Sequence, residues 1–223
     1  MHAKHWLGDA IYGINDGLAA IFGIIAGVSG FTDSHRMILV SGLFGAIAST
    51  LSMGAGAWLA ARSENEVSER DIADRRLYIA KDLENYKHQL ENTYEQSGFT
   101  RVEATWIVKR LANDQERLIK IILQDQPGAY DQHIKNPWHA MLFAGLSTLV
   151  GAFIPLVPLF FLTHAAAFIT AAAISIIAHY VVGAVKSFVT MRPWWQSGLE
   201  MMIVGILVGV VSYGLGSISS LII

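Results

Sequence analysis

The sequence predicts an all-α, polytopic membrane protein: five transmembrane helices with a polar helical domain between the second and third. Three observations predict it. Of 223 residues, 53% are hydrophobic and only 15% charged, with a mean hydropathy of +0.42, a balance that soluble domains rarely show. The charges are segregated: 12 Lys+Arg and 14 Asp+Glu, 26 of the 34 charged residues, fall between Arg62 and Lys135. The flanks hold five apolar stretches near the roughly 20 residues that a spanning helix needs.

Those stretches are about 9–30, 37–61, 138–162, 165–187 and 198–222. They divide the chain into 1–61 with two spans, a polar domain over 62–136, and 137–223 with three spans. Thr32–Arg36, Leu162–Ala165 and Met191–Ser197 read as short turns, the last carrying Pro193. Helical character runs from the second span on through Arg62–Leu77. The polar domain reads as three helices. One continues the second span to about Asn92, or breaks near Lys81–Asp82. Another starts after Gly98 and runs towards Leu111, with Thr100 as N-cap and Glu103 three residues on, the pattern of a capping box. A third covers Asp114–Gln124, with Pro127 and Gly128 ending it. Pro155 and Pro158 predict a kink in the third span.

Loop charge sets orientation. Lys4, the polar domain, Lys186 and Arg192 lie on one side, and only Arg36 on the other. The N-terminus and residues 62–136 are therefore expected in the cytoplasm. Trp6, Trp58, Trp138, Trp194 and Trp195 fall near span ends, as an aromatic belt does. The first stretch carries Asp9 and Asp16 and is too long for a signal-peptide core, so no cleavable leader is expected. A net charge of −2 gives no reason to expect nucleic acid. With no cysteine there is no disulfide, thiolate site or cysteine nucleophile. No Ser/His/Asp or zincin spacing occurs, so an enzyme is not expected.

The candidate chemistry sits in the first span, within "GINDGLAAIFGIIAG", Gly13–Gly27. Asp9, Tyr12 and Asp16 are spaced i, i+3, i+7 and line one helix face. A carboxylate in the bilayer costs at least about 2.5 kcal/mol, so it faces protein or water. It is either packing glue, bonded to a neighbouring helix, or a cation and proton site. Gly13/Gly17 and Gly23/Gly27 are small-xxx-small pairs that let another helix close in. In the second span, "STLSMGAGAWLA" places Ser52 and Met53 near the depth of Asp16. A carboxylate with a thioether suits a borderline divalent ion such as Fe²⁺, because sulfur is a soft ligand. His179 in the fourth span reads as a satisfied core histidine, and Glu200 as interfacial.

Four ordered segments resemble the vacuolar iron transporter family: "GINDGLAAIFGIIAGVSG", "SMGAGAWLAARSENEV", "PWHAMLFAGLSTLVGAFIPLVPLF" and "SGLEMMIVGILVGVVSYGLG". The wording "GAGAWLAARSE" resembles the bacterial branch, whose location would be the inner (cell) membrane. The resemblance implies a homodimer of five-span subunits with an ion path between the two first spans. It implies exchange of Fe²⁺, often also Mn²⁺, for protons, moving metal out of the cytoplasm with no permanently bound cofactor. The membrane ligands carry onto Asp16 and Met53, and the acid nearer the cytoplasm onto Asp9.

The chain also departs from that pattern. Ala57 stands where many members have Glu. Ile121 and Ile122 fall near the positions of two cytoplasmic methionines, with Asp125 at the following Glu, and Asn85 and His88 near further Glu positions. Read from spacing alone, Glu84, His88, Glu91 and Glu95 form one helical stripe that is either a solvated face or a divalent-ion site. Leu83, Tyr86, Leu90 and Tyr94 form the apolar stripe beside it. No Glu-x-x-His occurs, so a di-iron bundle site is not supported. Two functions result: a proton-coupled divalent metal transporter, or a membrane-anchored metal-responsive or scaffold protein that moves nothing.

Overall fold

The computed structural model describes residues 2–125 and 135–222; the side chains of residues 2–7, Asp9 and Asp125 fall outside that description. Among the described residues there are eight helices: α1 (His2–Phe31), α2 (His35–Lys81), α3 (Leu83–Gln96), α4 (Arg101–Leu111), α5 (Gln115–Asp125), α6 (Pro137–Phe161), α7 (His164–Thr190) and α8 (Trp194–Ile222). Five of them, α1, α2, α6, α7 and α8, are long and apolar enough to cross a membrane. The protein is a multi-pass membrane protein. Its contacts divide it into two compact units, Met1–Leu59 with Pro137–Ile223, and Ala60–Asn136.

The helices outrun the apolar stretches that announce them. α1 starts at His2 and α7 continues to Thr190, because hydropathy marks the hydrocarbon while backbone bonding continues past it. α2 has 47 residues, roughly 70 Å of helix at ~1.5 Å per residue, more than twice a bilayer's need. The turn before it is Thr32–Ser34, where the Ser34 hydroxyl accepts from the Met37 amide at 3.4 Å. α6 opens on Pro137, whose missing N–H is no loss in a first turn. It then remains one helix through Pro155 and Pro158, both buried. α7 begins with His164 at φ 56° and ends on Met191 at φ 57°.

Small residues bring the first unit together. A Cβ on Gly17 would meet Thr148 and Ala152 of α6, and one on Gly151 would meet the Ile14 backbone of α1. Gly23 lies against Val208 and Ser212 of α8, and Gly27 against Ser212. The two glycine pairs of α1 thus serve two partners. Gly13/Gly17 seat α6 and Gly23/Gly27 seat α8, because ten residues on the helix has turned to a neighbouring face. Ile21, Ile25, Ala152, Leu156, Leu159, Ala167 and Ala171 form the core between α1, α6 and α7. Phe160, Phe161, Ile177, Phe188 and Leu221 stay exposed, as side chains facing lipid do.

In the second unit, α2 ends at Lys81 and α3 starts at Leu83, so the break falls at Asp82. The Asp82 carboxylate accepts from the Asn85 side chain at 3.1 Å rather than from a backbone N–H. α4 carries the expected capping box. Thr100 Oγ1 accepts from the Glu103 amide, and Glu103 returns the bond to the Thr100 N–H at 2.8 Å. Those bonds hold the Glu103 carboxyl below its ordinary range. Asp114 caps α5 through the Arg117 amide at 3.1 Å. Ile79, Leu90, Val108, Leu118, Ile122 and Leu123 make the core, with Leu83, Tyr86 and Tyr94 against it. Pro127 and Gly128 lie outside the described residues.

Candidate metal-transit site

α1 buries its Leu18, Ile21, Phe22 and Ile25 face and leaves a different stripe uncovered. Tyr12, 66% exposed, and half-buried Asp16 lie on that stripe, followed by Ala19, and it runs on to Gly23 and Gly27 where α8 packs. From Asp16 to Phe31 the stripe forms one wall of an open groove of about 730 Å³. Val208, Ser212, Leu215, Gly216 and Ser219 of α8 form the other wall. The groove is mainly apolar, with a carboxylate at one end. Glycine makes it narrow: a Cβ at Gly216 would meet the Gly27 carbonyl.

One bond ties Asp16 to the second span: Ser49 Oγ donates to Oδ2 at 3.4 Å. The register agrees along the pair. Gly42 lies against Ile25, and Gly45 against Ile24 and Ile21. The pair runs antiparallel, so α2 beyond Ser49 heads towards the start of α1. Met53 is half-buried on the Ser49 face, one turn nearer the start of α1 than Asp16. Ser52 is exposed and takes no part. The depth expected for Ser52 and Met53 thus belongs to Ser49, a residue no spacing rule singled out. Asn15 Oδ1, next to Asp16 in sequence, is buried with no partner among the described residues. Asp9 lies in α1, but its side chain is outside the described residues.

In the polar unit the described candidate ligands are engaged one by one. Glu84 bonds Lys87 at 2.7 Å, which lowers its carboxyl, and His88 Nδ1 lies 3.3 Å from Glu91. Glu95 is exposed. Among the described residues no three His, Asp or Glu side chains converge. Ile122, near one methionine position of the resemblance, is buried in the core, and Ile121 packs against it. The Asp125 side chain lies outside the described residues. Elsewhere, Glu200 is exposed and 3.5 Å from Arg192, an interfacial pair.

With that geometry in place, comparison with known proteins decides the family. The VIT family profile matches residues 7–217. The chain belongs to the VIT family. It is similar to vacuolar iron transporter 1 of Oryza sativa subsp. japonica, 26% identical over 208 residues, 93% of this chain and 82% of the relative. It is similar to the Arabidopsis thaliana protein of the same name, at 25% over 211 residues, 94% of this chain and 84% of the relative. Vacuolar iron transporter cccA of Arthroderma benhamiae is 30% identical over 215 residues, 88% of this chain and 74% of the relative. VIT family members are transporters and not enzymes.

Proposed function

We propose that this chain is a proton-coupled transporter of divalent iron or manganese, moving the ion out of the cytoplasm as a homodimer. One observation carries the reading. Asp16 stands at the head of a groove that the chain's own helices leave open along α1. A lone carboxylate at that depth is costly unless it faces protein or water. A second copy laid along the Tyr12–Asp16–Gly23–Gly27 stripe closes the groove into a shared passage and brings two carboxylates to it. The relatives' names supply the cargo, iron. The carboxylate and the Met53 thioether fit Fe²⁺ better than Mg²⁺.

In this reading Asp9 receives the ion near the cytoplasmic end of α1. Met53 lies one turn before Asp16 on the way in, and the Ser49 hydroxyl orients the Asp16 carboxylate. Asp16 must be deprotonated to hold metal, so protonation from the far side releases it into the groove towards Phe31. Loop charge places the N-terminus and residues 62–136 in the cytoplasm. In a bacterial cell membrane the path then leads outside; in a vacuolar membrane it leads into the lumen.

A second reading, a metal-responsive scaffold without transport, draws on the polar unit, where Glu84 and His88 are engaged with Lys87 and Glu91. Proteoliposomes with an imposed pH gradient separate the two. Transport predicts Fe²⁺ or Mn²⁺ entry coupled to proton exit, with Zn²⁺ and Co²⁺ as comparison ions. Absence of metal-dependent proton movement leaves the scaffold.

A further inference from the structure

His179 differs from the satisfied core histidine that the sequence suggests. It is fully buried, with 0% exposure. Its Nδ1 lies 2.8 Å from the Ser175 carbonyl oxygen. A carbonyl only accepts, so Nδ1 carries a hydrogen, and in the neutral ring Nε2 is a bare acceptor. That Nε2 has no partner among the described residues. The Ser175 hydroxyl is committed to the Ala171 carbonyl at 2.7 Å. On α8 the ring meets Gly205, where a Cβ would come within 2.7 Å of Cγ and Nδ1. One turn along α8, Gly209 takes the Phe22 ring of α1. The imidazole therefore occupies a tailored seat on α8, beside α1, with one nitrogen satisfied and one not.

We propose that His179 is a proton-binding site of the membrane unit, separate from Asp16, loaded when the α7–α8 seam opens to water. In the closed seam a proton on Nε2 is a buried charge without an acceptor, which burial strongly disfavours. In an opened seam water accepts from it freely. Charged and titratable groups lie on the elements around it. α7 itself carries His164, Tyr180 and Lys186; α8 carries Tyr213 and Glu200, the latter paired with Arg192; α6 carries His139; and α1 offers Tyr12 and Asp16, with the His2, Lys4, His5 and Asp9 side chains outside the described residues. None of the described ones bonds to the ring. Protonation thus stabilises an opened seam over a closed one, and acid on either side of the membrane favours opening. The site does not depend on which ion the chain carries.

The test uses the full chain in lipid nanodiscs, with hydrogen exchange of the α7 and α8 peptides corrected for intrinsic rates. Samples are taken at pH about 7.5 and about 5.5, either side of the ordinary imidazole value of ~6.5. Wild type is expected to open about ten-fold more at the lower pH, and His179→Gln, which cannot take up a proton, to show no change. Asp16→Asn is expected to keep the response, which separates this site from the groove carboxylate. An equal response in wild type and His179→Gln overturns the proposal, as does its loss in Asp16→Asn alone. If His179→Gln does not assemble, ¹⁵N-histidine spectra of wild type decide. The His179 Nε2 resonance must move from its unprotonated to its protonated position over the same interval, and a resonance unmoved throughout overturns the proposal.

Discussion

Ser49 of α2 donates to Asp16 of α1 at 3.4 Å, the one hydrogen bond to that mid-span carboxylate among the described residues. The bond is long and single, so it orients the acid without neutralising it. Removing the hydroxyl leaves the carboxylate in place but freer to turn. Ser49→Ala is expected to weaken metal uptake by about 1 kcal/mol, roughly five-fold in apparent KM, with assembly intact. Uptake measured against metal concentration checks this. An unchanged KM means that Ser49 is a bystander.

Gly17 predicts a packing defect. A Cβ there would come within 2.8 Å of the Thr148 carbonyl carbon and 2.9 Å of the Ala152 nitrogen, backbone that cannot move aside. Gly17→Ala should cost about 1–3 kcal/mol through overpacking at the α1–α6 contact. Gly214, with nothing within 4 Å of the added carbon, is the control, and Gly214→Ala should be neutral or slightly stabilising. Thermal unfolding in detergent compares the two, and equal midpoints would argue against the close α1–α6 approach.

Met191 predicts a gain. It ends α7 with φ 57°, a left-handed conformation that costs a non-glycine residue roughly 1–2 kcal/mol, and its side chain is 80% exposed. Met191→Gly keeps the cap and removes the strain. The midpoint of thermal unfolding should rise; a fall would mean that the side chain makes a contact in the assembled protein.

The polar unit predicts a small acid sensitivity. Glu84 is lowered mainly by the Lys87 hydrogen bond, and Glu103 mainly by the Thr100 side chain. A depressed carboxyl stabilises the fold above the unfolded value of 4.5 and loses that contribution as pH falls through the lower folded value. Both groups are fully exposed, so the effect is modest and screened by salt. Thr100→Ala should flatten part of the stability change below pH 4.5 and cost about 1 kcal/mol as a lost N-cap. Helicity of the full chain followed against pH measures both effects, and unaltered curves would remove the capping argument.

The spans, the capping box at Thr100 and the apolar stripe Leu83–Tyr94 were legible because each has its own period or its own pair of residues. Asp16 was legible because an acid among "GINDGLAAIFGIIAG" contradicts its surroundings. Ser49 was not, since a serine in an apolar helix is common and only the register of Gly42 and Gly45 against α1 selects it. The Glu84/His88/Glu91/Glu95 spacing was equally consistent with a metal stripe and with solvated ion pairs. Lys87, between its members, favours the latter in the folded chain. The half-satisfied state of His179 has no sequence signal at all, because it depends on what α8 places opposite the ring.

In the proposed transport cycle Asp16 is the step at which metal and proton exchange. Reconstituted dimers of wild type and Asp16→Asn, matched for assembly, should be compared for Fe²⁺ and Mn²⁺ influx with a pH-sensitive dye inside the vesicles. Wild type should show coupled metal and proton movement, and Asp16→Asn both signals at the level of protein-free vesicles. Metal flux that survives in Asp16→Asn, with or without its proton counter-movement, contradicts that role for Asp16.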